Sequence, residues 1–220
     1  MNEVIIFGDK ELAEIAHFYL THDSDYKVKA FTVDQQYLKK DTLEGLSIVP
    51  FEEVQNIYPP SRYKMIVPLS YKAMNQVRAK KYFEAKEKGY GLISYVSTKA
   101  TIWPGLTVGE NCFIFENNVI QPYVKIGNNV ILWSGNHIGH HTTIEDHCFL
   151  ASHIVVSGGV CIEPYCFIGI NAALRDHITI GSHSLIGAGA LIMKDVSPRS
   201  VYAGHEARKA TITSDRVKAI

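Results

Sequence analysis

Every sixth residue from Val96 to Ile192 is Val, Ile or Leu, seventeen positions in succession with no insertion to break the phase. An internal repeat fixes architecture before any local propensity does. The residue four places on is mostly small or β-branched, as at Ala100, Cys112, Val130, Cys148, Ala172 and Ala190, and the residue just after the aliphatic is often Gly or an acid, as at Gly109, Gly127, Gly139, Glu145, Glu163 and Gly181. Gly there suits a tight corner. Each hexad makes one short strand and one corner, and three hexads close a triangular coil with its aliphatic side chains inward. Successive coils stack as parallel strands roughly 4.8 Å apart. The pattern predicts a left-handed parallel β-helix of between five and six coils from about Val96 to Val196, with residues eighteen apart as vertical neighbours.

Two columns follow from that register. Cys112, Val130, Cys148, Cys166 and Ser184 share an internal column, which explains three of the four cysteines as small apolar filling. No CxxC pair or zinc-finger spacing assigns them a metal or catalytic role. Asn118 and Asn136 share another column, where a ladder of hydrogen bonds between their amides is expected.

Residues before the repeat have a different texture. Val4–Phe7 is a short apolar run followed by Gly8 and an amphipathic stretch from Glu11 to Leu20, and Val28–Val33 makes a second strand ending at Asp34. Ser47–Val49 and Met65–Leu69 read as further strands, and Phe51–Ile57 and Lys72–Lys88 as helices, the last stopping at Gly89. Strands alternating with helices imply parallel βαβ units. The expected organisation is a small, open, parallel α/β (Rossmann-like) domain over residues 1–93, then a β-helix with a C-terminal tail over residues 94–220. Ligands of open α/β sheets bind beyond the carboxyl ends of the strands, which points to Gly8, Asp9 and Lys10, to Asp34, and to Ser70 and Tyr71. A single glycine in GDKEL is no dinucleotide fingerprint.

Lys+Arg and Asp+Glu are equal at 22 each, so the basic excess needed for a sequence-independent grip on nucleic acid is missing. Lys80–Lys81 and Lys86/Lys88 read as the solvated face of a helix. No apolar stretch approaches a membrane span, and no basic-then-apolar leader opens the sequence, so the expectation is a cytoplasmic protein without nucleic-acid or membrane partners.

A small α/β domain followed by hexad coils containing IGHH and SGG resembles the bacterial hexapeptide-repeat acyltransferases that acetylate aminosugars on nucleotide carriers, together with their sialic acid O-acetyltransferase relatives. The carrying segments are VIIFG, AFTVD and NHIGHHTTIEDHCFLASHIVVSGGVCIEPYCFIGINAAL. The resemblance implies a homotrimer, acetyl-CoA as acyl donor lying between neighbouring β-helices, a UDP-, dTDP- or GDP-linked amino deoxysugar held by the N-terminal domain, and no metal. It gives His140 the role of general base, and Gly158 that of a backbone N–H facing the thioester carbonyl. His141 stands where the family usually has an acid that orients the base, with Glu145 or Asp146 as substitutes. Phe149 replaces a family His near the thioester, and His153 is the alternative polar group. Ser157, Gly187, Ala188 and Arg208 are the remaining implied acyl-CoA contacts. Gly204–Ala207 lacks the proline of the family's GxPA, and the nucleotide loop and acidic pair are reduced to Gly8–Lys10 and Asp34.

Seven of the ten histidines lie between His137 and His183. A zinc site is the obvious rival, but the coil neighbours of His140 are Pro122 and Gly158, and those of His141 are Tyr123 and Gly159. Acyl transfer asks less: an imidazole to take a proton and an N–H to face the oxyanion. Trp133, on an outward position, is expected to stack on a sugar or be buried against an adjoining subunit. An amine acceptor, a hydroxyl acceptor and a non-catalytic hexapeptide scaffold are the three readings the sequence leaves open.

Overall fold

The computed structural model describes residues 2–207 together with Lys209, Thr211 and Arg216. The first apolar run forms strand β1 (Glu3–Phe7), followed by helix α1 (Glu11–His22) and strand β2 (Lys27–Val33). A hairpin of β3 (Thr42–Leu43) and β4 (Leu46–Pro50) turns through Glu44 and Gly45, whose φ values of 49° and 74° suit the twist of paired strands. Short helix α2 (Val54–Ile57), strand β5 (Lys64–Ile66) and helix α3 (Gln76–Glu87) complete the unit. The sheet order is β3-β4-β2-β1-β5, parallel except at the β3 edge. Chain direction across the sheet reverses at β1, which makes the carboxyl ends of β1, β2 and β5 the natural crevice.

Two sequence expectations fail here for one reason. Strand β5 stops at Ile66 rather than Leu69, because Val67 N–H donates to Asn111 Oδ1 of the β-helix (2.7 Å). Helix α3 starts at Gln76 rather than Lys72, because Ala73, Met74 and Asn75 hold φ values of 52°, 51° and 66°. Contacts with the β-helix override local propensity over this whole segment.

The β-helix follows the hexads. Seven two-residue strands from Tyr95–Val96 to Val201–Tyr202 form a first face, six from Thr101–Ile102 to Leu191–Ile192 a second, and five from Thr107–Val108 to Thr179–Ile180 a third. Pairing is parallel throughout, with partners eighteen residues apart, as His137 with Val155 and Phe149 with Phe167, until the last pair of the first face, where Leu185 meets Val201 only sixteen residues on. Cys112, Val130, Cys148, Cys166 and Ser184 are all fully buried in their column. Asn118 and Asn136 do form a ladder, but to the backbone rather than to each other's amides: Asn118 Nδ2 donates to Trp133 O (2.9 Å), and Asn136 Oδ1 accepts from Ile154 N–H (2.8 Å).

The α/β unit seats on the first face and on the edge between the third and first faces. Tyr19 of α1 meets the rings of Phe113 and Phe115 at 6.1 and 5.1 Å. The Asp23 carboxylate after α1 accepts from Tyr95 Oη (2.5 Å), Ser97 Oγ (3.0 Å) and both the N–H and hydroxyl of Thr98. Burial alone would raise its pKa, but these donors outweigh it and hold it at about 2. Gly91–Ile93 runs beside β5, with Ile93 N–H donating to Met65 O (3.0 Å), and passes directly into the first coil. Among the described residues no helix is long and apolar enough to cross a membrane.

Candidate active site

The corners joining the second and third faces carry the densest chemistry. One coil turns through Gly139-His140-His141-Thr142, and the next through Ser157-Gly158-Gly159-Val160. A Cβ on Gly139 would stand 2.6 Å from both the Gly158 nitrogen and the Ser157 carbonyl carbon, so only glycine lets these coils stack. His141 takes φ 59°, and its ring leans back on Tyr123 with centroids 4.7 Å apart. His140 N–H donates to Gln121 Oε1 (2.9 Å), and its ring leans forward over Gly158. Both imidazoles are exposed.

The two rings touch through Nδ1, 3.0 Å apart. One of these nitrogens must carry a hydrogen for the contact to bond. With the hydrogen on His140 Nδ1, its Nε2 is bare, and that atom lies on the Gly158 side. Thus His141 can fix the tautomer of His140 from the position a carboxylate would take. Gly159 N–H is spent on His140 O (2.7 Å), whereas Gly158 N–H has no acceptor among the described residues. A bare imidazole nitrogen beside an unspent amide is what attack on a thioester needs.

His177, two coils beyond His141 in the same column, leans back in the same sense, onto Gly159. The column therefore does hold another imidazole, which a comparison of adjacent coils alone overlooks; counting thirty-six residues instead of eighteen would have found it. Among the described residues no group of three or more His, Cys, Asp and Glu side chains converges as metal ligands would.

Several sequence-predicted residues lie elsewhere. Glu145 and Asp146 sit on the edge between the third and first faces, where Asp146 Oδ1 accepts from Asn128 N–H (2.6 Å), so neither substitutes for the missing acid beside His140. Phe149 is 4% exposed, covered by Tyr71 with ring centroids 5.0 Å apart, and so supports the N-terminal domain rather than facing acyl-CoA. His153 covers Gly135, on the edge between first and second faces, shared with Trp133, Gly187 and Ala188. Trp133 stacks on Phe115 of its own chain at 4.5 Å and 7°, continuing the Tyr19 cluster. Gly187–Ala188 is overlaid by Gly204. Ser157 lies beside Gly158 in the His140 corner, and Arg208 lies outside the described residues.

The N-terminal residues do gather. Gly8 follows β1 at φ 125°, with Asp9 and Lys10 leading into α1, Asp34 follows β2, and Ser70–Tyr71 lies beyond β5. Asp34 is not a lone carboxylate: it pairs with Lys81 of α3 at 2.5 Å, with its side chain 13% exposed. Lys81 is accordingly no solvated surface lysine, and despite its burial Asp34 and Glu84 hold its ammonium above the ordinary value.

These two groups stand on opposite sides of one chain. Tyr71 lies against Phe149 and Phe167 of the first face, while His140 occupies the edge across the triangle from that face.

Residues 105–140 and 123–158 match the family described as bacterial transferase hexapeptide (six repeats). No curated protein matches the chain by sequence. Among solved structures, PerB from Caulobacter crescentus in complex with CoA and GDP-perosamine superposes with a TM-score of 0.82 at 21% identity, covering 92% of this chain and 94% of that one. WeeI from Acinetobacter baumannii gives 0.79 at 20% identity over 93% and 98%. The acetyltransferase domain of PglB from Neisseria gonorrhoeae in complex with acetyl coenzyme A gives 0.62 at 18% identity over 92% and 96%. The chain shares the two-part fold of these proteins: an α/β unit followed by a left-handed parallel β-helix.

Proposed function

We propose that this protein is an acetyl-CoA-dependent N-acetyltransferase acting on the amine of a nucleotide-linked amino deoxysugar, as a homotrimer in the cytoplasm. The observation that carries the reading is the His140–Gly158 corner, where the His140 imidazole, its Nδ1 3.0 Å from His141 Nδ1, lies beside an unspent backbone N–H. The fold shared with proteins solved with CoA and GDP-perosamine, or with acetyl coenzyme A, supports the choice of donor and acceptor class.

The chemistry is a direct transfer. The sugar amine attacks the thioester carbonyl, and His140 Nε2 takes the proton that the nitrogen loses. Negative charge on the carbonyl oxygen is met by Gly158 N–H. Collapse of the tetrahedral intermediate forms the amide and breaks the C–S bond, and the imidazolium returns its proton to the departing CoA thiolate. His141, through its Nδ1 contact, keeps His140 in the productive tautomer. Ser157 borders the same corner.

A nucleotide held at Gly8, Asp9, Lys10 and Ser70–Tyr71 would lie across the triangle from its own chain's His140. The complete site is therefore assigned to two chains, the N-terminal domain of one and the His140 edge of a neighbour. Closed cyclic assemblies of identical chains meet that requirement at every site.

The test is a panel of UDP-, dTDP- and GDP-linked amino deoxysugars with acetyl-CoA, following release of free thiol. Thiol release with at least one aminosugar, and none with its hydroxyl counterpart, is expected. Turnover of the hydroxyl sugar alone would make the protein an O-acetyltransferase. No turnover with any member would remove the proposal.

A further inference from the structure

Arg78 of α3 is fully buried, and among the described residues no carboxylate is its partner. Its Nη1 donates to Leu69 O (3.4 Å), Ser70 O (3.2 Å) and Asn75 Oδ1 (3.0 Å). Its Nη2 donates to the carbonyls of Asn129 (3.2 Å), His147 (3.1 Å) and Cys148 (3.0 Å) on the β-helix. Burial lowers the guanidinium pKa to about 10, so the group stays charged at neutral pH. Isolated buried charges are costly, and proteins normally pair them.

The segment it grips is strained. Ala73, Met74 and Asn75 are consecutive L-residues in the left-handed region, which L side chains disfavour because Cβ crowds the following carbonyl oxygen. Such strain persists only where surrounding contacts over-determine it, and it gathers at functional sites. Here Arg78 supplies those contacts together with Asn75 Nδ2, which donates to Cys166 O (3.1 Å).

The grip has a consequence for the amides. In a trans peptide the N–H points opposite to the preceding C=O, and none of the peptide bonds is cis among the described residues. Because the Leu69 and Ser70 carbonyls turn towards Arg78, the N–H groups of Ser70 and Tyr71 turn away from it. Neither amide has an acceptor among the described residues. Two consecutive free amides with an unneutralised cation behind them form an anion-binding concavity, at the carboxyl end of β5 where the strand order reverses.

We propose that the Ser70–Tyr71 amides are the diphosphate seat of the acceptor nucleotide, and that Arg78 is the positioning residue that holds the loop and supplies its positive field. The inference rests on the nucleotide-sugar reading above and adds to it the group that binds the phosphates.

Calorimetric titration of the whole protein with UDP, GDP and dTDP, and separately with CoA, tests it. At least one nucleoside diphosphate should bind the unmodified protein. R78M should weaken that binding tenfold or more and leave CoA affinity unchanged, and R78K, which keeps the charge but reaches fewer carbonyls, should fall between. A folded R78M of unchanged diphosphate affinity would overturn the inference while leaving the enzyme class intact. A loss confined to CoA, which carries its own diphosphate, would overturn the assignment to the acceptor. Failure of all three diphosphates to bind the unmodified protein would instead overturn the nucleotide reading, and the inference with it. Should R78M not fold, hydrogen exchange on the unmodified protein decides: bound diphosphate should protect Leu69–Asn75, and binding without protection there would contradict the proposal.

Discussion

The His140 imidazole lies so close over Gly158 of the next coil that a Cβ there would stand 2.6 Å from its Cε1 and 2.7 Å from its Nε2. Gly158 has no left-handed φ, and the atoms it would meet belong to an exposed, rotatable side chain. Gly158→Ala should therefore fold normally but push His140 aside. We expect kcat to fall on the order of a hundredfold, the scale of a displaced general base, with a thermal midpoint near wild type. Gly139→Ala, which meets backbone instead, should lose stability. Full activity in Gly158→Ala would separate His140 from the chemistry.

His147 reports on acid stability. It is 4% exposed, bonded through Nδ1 to Asn129 Nδ2 at 2.9 Å, and sits in the column of Asn111 and Asn129. Burial, with the Arg78 charge adding and Asp146 opposing, lowers its pKa from 6.5 to about 4. Between those values the unfolded chain binds more protons than the folded one, so the stabilisation is whole above pH 6.5 and declines as pH falls towards 4. The loss should be on the order of 2 kcal/mol. His147→Asn, matching the two residues stacked behind it, should flatten that part of the curve. Urea midpoints at pH 7 and pH 4.5 that fall equally in both proteins would assign the acid sensitivity elsewhere.

The β-helix was readable because each hexad position has one job, repeated every coil: Ile138, Val156 and Leu174 fill the same interior and could be counted without coordinates. Strands β1 and β2 announced themselves through buried apolar runs, and the crevice residues through their place after strands. The His140 corner was legible through its motif. What escaped depends on contacts between the two parts. Nothing local to Ala73–Asn75 signals a left-handed turn, Phe149 looks outward until Tyr71 is seen to cover it, and Asp34 looks free until Lys81 is placed beside it. Arg78 reads as one more helix cation in the sequence; only the surrounding carbonyls reveal its burial.

The two-chain site makes a complementation prediction. His140→Asn disables the base, and Ser70→Glu sets a carboxylate where a diphosphate would rest. Each variant alone should be inactive at low acceptor concentration. Co-expressed in equal amounts, they should assemble some sites with an intact base from one chain and an intact loop from another, recovering about a quarter of wild-type activity if chains mix at random. No recovery in demonstrably mixed oligomers would place each site within one chain.

The most direct test of the account is steady-state turnover of an aminosugar acceptor by wild type, His140→Asn and His141→Asn. Removal of a general base typically costs about a hundredfold to ten-thousandfold. His140→Asn should lose kcat by that order with both KM values little changed, and the loss should shrink as pH rises and more of the amine is unprotonated. His141→Asn should lose less, because the bare nitrogen of His140 remains and only its orientation is relaxed. A near-wild-type kcat for His140→Asn, with His141→Asn the inactive protein, would contradict the assignment of the base.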